Sequence, residues 1–256
     1  MNRQILMCCV QYDAEIKSGK LGVADMAPIA KRLGLDGVEY REVYWHDKAK
    51  ELPVVRDQLA ELGLRGTFAT FTTLFQRDPA MHARLLEEMA DAKALGSSLI
   101  RVFRGELPGE GDAAMWDRAR AALDRAGELG LTVAMENYAR TPGNRLADVL
   151  GAIEAFASPV LGTNVDVANY VQNGQEPIAA INALGSHVRY VHLKDVKQTP
   201  EGQVATWLGN GSLPYRAILA ALDATGQDFP LCFEFGGEGD PESVIAKSLT
   251  YVRRLM

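Results

Sequence analysis

Eight short runs of β-forming residues alternate with eight amphipathic stretches along the chain, and few architectures accept that rhythm. The strand-like runs are "ILMCCV" (5–10), "GVEYRE" (37–42), "RGTFATF" (65–71), "SLIRVF" (98–103), "LTVAMEN" (131–137), "LGTNVDV" (161–167), "VRYVHL" (188–193) and "PLCFEF" (230–235). Between them apolar residues recur at helical spacing, as in "AKELPVVRDQLAELG" and "AAMWDRARAALDRAGELG". Five of the eight helical stretches close on Leu-Gly and a sixth on Thr-Gly, which places a glycine where a left-handed cap ends a helix. Eight βα repeats in 256 residues match the size of a (β/α)8 barrel. A doubly wound sheet has fewer strands and a G-x-G-x-x-G phosphate loop; the nearest glycine-rich loop here, "FGGEGDP" (235–241), lacks that spacing. No linker or low-complexity segment interrupts the pattern. The expected fold is α/β, a single (β/α)8 TIM barrel occupying residues 1–256 as one domain.

Charge narrows the partners. The net charge is -6 and no block of lysines or arginines stands out, which argues against a duplex nucleic acid, whose counterions only clustered cations displace. The same balance suits an anionic membrane poorly, and no apolar run reaches the roughly 18 residues of a membrane span. The opening "MNRQILMCCVQYD" is too short in its apolar part for a signal-peptide core. Cys8, Cys9 and Cys232 all sit in apolar runs and show no CxxC or zinc-type spacing, so they read as buried reduced thiols of a cytoplasmic protein.

In a barrel of this kind, function gathers at the C-terminal ends of the strands. The fifth strand ends in Glu136, the sixth in Asp166, the seventh in His192 and the eighth in Glu234. Singly, each has a bland reading as a loop salt bridge or a supporting group. Together, at matching positions of four neighbouring strands, three carboxylates and an imidazole repel and desolvate one another unless a cation joins them. Three oxygen donors and one nitrogen suit a divalent ion of the Mn2+, Mg2+ or Co2+ kind better than structural zinc. Lys194 points to the same side as His192, and either holds a substrate oxygen or closes a salt bridge at the barrel mouth. Glu39 on the second strand and Arg104 just past the fourth are further candidates for substrate binding. Tyr44, Trp45, His46, Phe71, Phe75 and Trp207 offer aromatic walls of the kind that sugar-sized pockets use, though core packing or a subunit interface would use the same residues. No glycine cluster grips a phosphate, which speaks against a phosphorylated ligand.

"MEN", "NVDVANY", "VRYVHLKDV" and "CFEFGG", with "LGLDGVEYRE" and "LGNGSLPYRAILAAL", resemble the xylose isomerase-like TIM barrel superfamily of sugar isomerases, epimerases and endonuclease IV-type barrels. The resemblance covers nearly the whole chain. It implies that Glu136, Asp166, His192 and Glu234 hold a divalent cation, Mn2+ foremost, with Mg2+, Co2+ or Zn2+ as alternatives. It also implies that Glu136 and Glu234 are catalytic, exchanging protons with a small ketose or hydroxy-keto acid in an isomerase or epimerase reaction through a metal-stabilised enediolate. One position departs from the pattern: Asn169 stands where ketose 3-epimerases carry a second histidine. An amide can hydrogen-bond a substrate hydroxyl but cannot take up a proton. That departure gives weight to a metal-dependent lyase, either a dehydratase or an enzyme cleaving C-glycosides and oxidised glycosides. A non-catalytic sugar-binding barrel is disfavoured by the intact donor set. The histidine-rich endonuclease branch fits poorly, since the chain has only His46, His82, His187 and His192. The expected partner is therefore a small-molecule carbohydrate, with no nucleic acid and no membrane. Barrels of this family often pair into dimers or tetramers, so a homo-oligomer stays open.

Overall fold

The structure, a computed structural model, describes residues 3–109, 111–138, 140–200, 202–236 and 239–256. Eight parallel strands close into a barrel: β1 (Ile5–Cys8), β2 (Gly37–Arg41), β3 (Arg65–Thr73), β4 (Leu99–Phe103), β5 (Thr132–Glu136), β6 (Leu161–Asp166), β7 (Val188–Leu193) and, after a hairpin β8 (Asp195–Thr199) and β9 (Gly202–Thr206), β10 (Leu231–Phe233), which pairs with both β7 and β1. The helices are α1 (Asp13–Lys17), α2 (Met26–Leu33), α3 (Lys48–Leu62), α4 (Pro79–Ala94), α5 (Ala113–Leu129), α6 (Leu146–Phe156), α7 (Val167–Gln172), α8 (Pro177–Leu184), α9 (Tyr215–Ala224) and α10 (Pro241–Leu255). The single (β/α)8 barrel expected from the alternation is the observed fold.

Strand alternation divides the buried residues into two sets. Val38, Ile100, Val102, Val133, Val165 and Val191 face the helices in one continuous apolar layer. Residues of the other parity turn into the barrel, where Leu6, Cys8, Leu99, Ala134, Tyr190 and Cys232 form a separate small core. Parallel strands are covered on both faces, so β2, β4 and β6 are buried at every position. Above the interior core the inward residues become polar and charged, and that change of character places the site.

The glycine caps lie where the sequence puts them: α2, α3 and α5 end at Gly34, Gly63 and Gly130, with φ of 74°, 64° and 68°. Three features depart from the sequence reading. The first strand stops at Cys8, because Cys9–Tyr12 coil into a 3-10 turn that leads into α1. The third runs on to Thr73. The segment after β7 forms the β8–β9 hairpin rather than a plain loop. Asp195 anchors that hairpin. Its Oδ1 accepts from the amides of Val196 at 2.9 Å and Leu213 at 3.0 Å, and its Oδ2 from those of Gly209 and Gly211 at 3.1 Å. The backbone approaches so closely that a Cβ on Gly211 would lie 2.2 Å from Asp195 Oδ1. The three cysteines are free and buried, and no helix among the described residues is long and apolar enough to cross a membrane.

Candidate active site

Register sets the height of each group. Asp166 and Cys232 both pair with His192, and Phe103 with Glu136, so the ends of β4 to β7 and β10 lie in one band at the mouth of the barrel. Glu136, Asp166, His192 and Glu234 are all buried, and each offers one donor atom within 4.8 Å of the others. Chain turns hold them there. Asp166 caps α7, its Oδ1 accepting from the amides of Ala168 at 3.1 Å and Asn169 at 3.0 Å, which leaves Oδ2 for the centre. Asn137 locks the Asp166 backbone from both sides. Asn169, expected to meet substrate, instead donates its amide to Glu136 Oε1 at 3.2 Å and so orients that carboxylate.

Glu39 has a different place from the one expected. Fully buried, it accepts from His192 Nε2 at 2.8 Å, leaving Nδ1 turned toward Glu234 at 3.4 Å and Glu136 at 3.7 Å. A carboxylate behind the far nitrogen of a histidine is the usual support of a metal-binding imidazole. Two arginines that the sequence did not single out for the site complete it. Arg41 donates through Nη2 to Glu234 Oε1, and Arg101 Nε lies 3.0 Å from Glu136 Oε2 while its Nη1 donates to the carbonyl of Thr70 at 2.6 Å. Lys194 stands between two carboxylates, 2.6 Å from Asp166 Oδ2 and 2.7 Å from Glu234 Oε2. Lys194 thus closes a salt bridge at the barrel mouth.

The charges explain the electrostatics. Glu39, Glu136, Asp166 and Glu234 face three permanent cations, Arg41, Arg101 and Lys194. One negative charge is left over. Burial would drive His192 neutral, but Glu39 and Glu136 outweigh it and raise the imidazole above its ordinary 6.5. Burial likewise pushes the Glu39 carboxyl up, yet His192, Arg101 and Arg41 hold it well below the carboxylate range. Glu136 is also lowered, by Arg101 and His192 against burial.

The donor set fits a hard divalent cation. Glu136 Oε2, Asp166 Oδ2 and His192 Nδ1 are buried yet make no hydrogen bond of good geometry; Arg101 and Lys194 stand near the first two. Buried polar atoms without partners are rare and ask for a reason. Three that lie together, with Glu234 beside them, match the three-oxygen, one-nitrogen set of Mn2+, Mg2+ or Co2+.

A pocket of about 200 Å³ opens over these groups, lined by Arg41, Arg101, Glu136, Lys194 and Glu234 and walled by aromatic rings. Phe103 stacks on Tyr138 at 5.1 Å between centroids, and Phe71 meets Phe103 edge-on at 5.7 Å. Of the aromatic residues expected to wall it, only Phe71 does so; Phe75 packs on Trp116 and Phe156 away from the pocket. Trp207 lies half-buried beneath Lys247, beside a crevice too narrow for a ligand. Arg104 is a correction as well. Being one residue past the inward Phe103, it turns out of the barrel and is buried 3.7 Å from Asp148. The inward arginine of that strand is Arg101, which period-2 alternation alone separates from Arg104.

Solved structures share this fold across the whole chain. The D-allulose 3-epimerase of Methylomonas sp., in complex with D-allulose, superposes with a TM-score of 0.75 at 18% identity, covering 99% of this chain and 97% of that one. The probable 3-DHS dehydratase AsbF of Bacillus anthracis gives 0.78 at 14% identity, covering 98% of each chain. A fusion of a xylose isomerase-like TIM barrel with a 4-hydroxyphenylpyruvate dioxygenase gives 0.82 at 22% identity, covering 100% of this chain and 43% of that one. Among curated proteins, the uncharacterized protein YihM of Escherichia coli (strain K12) is 28% identical over 115 residues, 43% of this chain and 34% of that protein, so the chain matches about a third of that relative's length. The sequence model of the family described as xylose isomerase-like TIM barrel matches residues 28–255, and with the closed barrel around these strand ends the chain belongs to that family.

Proposed function

We propose that the protein is a divalent-metal-dependent isomerase or epimerase that moves a proton next to the carbonyl of a small ketose or hydroxy-keto acid. The observation that carries this reading is the convergence of four buried donors, Glu136, Asp166, His192 and Glu234, three of whose central atoms lack a hydrogen bond. These four would hold the cation, and Mn2+ suits them best. When bound, a divalent cation supplies the Lewis acidity that makes the C–H beside a carbonyl acidic. Glu136 and Glu234 also line the pocket, from opposite ends of the donor set, and serve as the proton carriers. Arg101 keeps Glu136 ionised before substrate arrives, and Arg41 holds Glu234 in place. Lys194 holds a substrate oxygen, and Phe71, Phe103 and Tyr138 exclude water from the reacting carbon.

A lyase on the same site is the second reading, and Lys194 favours it. Its ammonium lies 2.7 Å from Glu234 Oε2, so a base and a proton donor stand side by side, as elimination of a neighbouring hydroxyl or glycosyl group requires. Product analysis in deuterium oxide separates the two. An isomerase returns sugar of unchanged mass plus deuterium, whereas a lyase releases water or a second product. Glu234→Gln should lower turnover roughly a hundredfold or more at saturating Mn2+, the scale of a lost general base. Turnover at the wild-type level would remove Glu234 from the mechanism. Wild-type protein that takes up no divalent metal in elemental analysis or titration would end the reading altogether.

A further inference from the structure

Beside the inner pocket lies a second, larger chamber of about 780 Å³; the two share Val10, Arg41, Phe71 and Gly236 in their walls. The outer chamber is walled by the segment after β1, with Gln11, Asp13 and Glu15, and by Val43 and Tyr44 beyond β2. The proton transfer proposed above uses none of these five.

Three features of the wall suit a ligand. Gln11 is only 6% exposed, yet its Nε2 has no hydrogen-bond partner, an uncommon state for a buried amide. Val43 and Phe71, in contrast, are 55% and 44% exposed, presenting apolar surface on either side of Arg41. The charges of the wall are already spent. Asp13 accepts the Tyr44 hydroxyl at 2.7 Å and the Lys17 ammonium at 2.9 Å, and Arg41 is held by Glu234. With Glu15 beside them, the two carboxylates of the wall match the two cations, Lys17 and Arg41, and the chamber carries no net positive charge to draw a phosphate or a carboxylate.

We propose that the outer chamber is a subsite for a second, uncharged sugar ring, so that the substrate is a two-ring ketose whose reacting ring fills the inner pocket. A glycosyl ring presents hydroxyl oxygens to the Gln11 amide and a C–H face to Phe71 and Val43. The inner pocket alone is the size of a single ring, and the two chambers together reach the range of larger ligands. The inference rests on the sugar-isomerase reading of the inner pocket, and its test keeps the two apart.

Mn2+-loaded protein is titrated by calorimetry with fructose and with turanose, leucrose and isomaltulose, three neutral disaccharides carrying glucose on different hydroxyls of fructose. Solvent deuterium incorporation is followed in parallel. At least one disaccharide should bind roughly tenfold more tightly than fructose, and Gln11→Ala should cut that ratio roughly three- to tenfold, the scale of one hydrogen bond. Val43→Trp, at an exposed position that tolerates bulk, should cut it too by filling the chamber. If no disaccharide outbinds fructose, including the case where none binds, the subsite does not exist. If the ratio survives both substitutions, the second ring lies elsewhere and the proposal falls. Deuterium incorporation into fructose without any disaccharide preference would overturn the subsite and leave the isomerase reading intact. Tight disaccharide binding that Gln11→Ala weakens, with no incorporation, would do the reverse. An aryl glycoside that binds better than any disaccharide would also overturn the assignment to a sugar ring.

Discussion

Glu39 does not line the inner pocket, yet it sets the orientation of the one nitrogen donor, His192. With Nε2 of His192 fixed by Glu39 Oε2, Nδ1 faces the other donors. Glu39→Gln should therefore weaken Mn2+ binding roughly 10–100-fold, the usual loss for a supporting carboxylate, read by calorimetric titration. An unchanged affinity would mean the imidazole is held by packing alone. Lys194 predicts the opposite direction. Its ammonium competes for Asp166 and Glu234, so Lys194→Met should tighten Mn2+ binding severalfold while lowering the melting temperature of the metal-free protein. Loosened binding would assign the lysine a supporting role. Legibility in the sequence follows the same division. Glu136, Asp166, His192 and Glu234 were readable because each closes a strand, and strand ends are where barrel chemistry lies. The work of Glu39, Arg41 and Arg101 was not, because their partners lie on other strands, far along the chain: His192, Glu234 and Glu136. An arginine in a strand carries no mark of the carboxylate it will meet, and Arg104, a neighbour of the right inward side chain, looked no worse.

The elements were legible where a repeat announced them. Alternation and Leu-Gly endings gave the strands, the helices and the caps, since both are local signals. What local signals missed is the β8–β9 hairpin, whose residues are exposed or half-buried over much of its length and carry no apolar run to mark them. Its anchor is Asp195, which holds four backbone amides with two oxygens. Asp195→Ala should cost about 1–3 kcal/mol, since four amides, one of them buried, lose their acceptor together, and hydrogen exchange should rise in 209–213. Asp195→Asn, keeping one acceptor oxygen, should cost clearly less. Gly211→Ala should resemble the alanine variant, because its methyl collides with the same carboxylate. Equal exchange in wild type and Asp195→Ala would show that the hairpin holds itself.

For the molecule as a whole, the site makes stability depend on pH in two senses. Because His192 is raised in the fold, its contribution is complete below 6.5 and fades as pH climbs through the raised value. Glu39 and Glu136 are lowered, so theirs is complete above 4.5 and fades as acid reaches the lowered values. Chelator-treated protein should thus be most stable between those limits and lose melting temperature on the alkaline side. Saturating Mn2+ should flatten that loss, since the cation supplies the charge the imidazole gives up, and binding should release a proton, visible as a dependence of the calorimetric heat on buffer. A melting temperature indifferent to alkali, with or without Mn2+, would show His192 to be neutral throughout.

All four donors come from Glu136 to Glu234, whereas Glu39, Arg41 and Arg101, which orient and neutralise them, come from the first four strands. Recombination that exchanged one half of this barrel for another's would leave the acidic cluster with Lys194 alone of its three cations, so the two halves are bound to change in step. The segments after β1 and β2 are under no such bond. Descent can redraw them freely, altering what the barrel admits while the way it reacts is inherited whole.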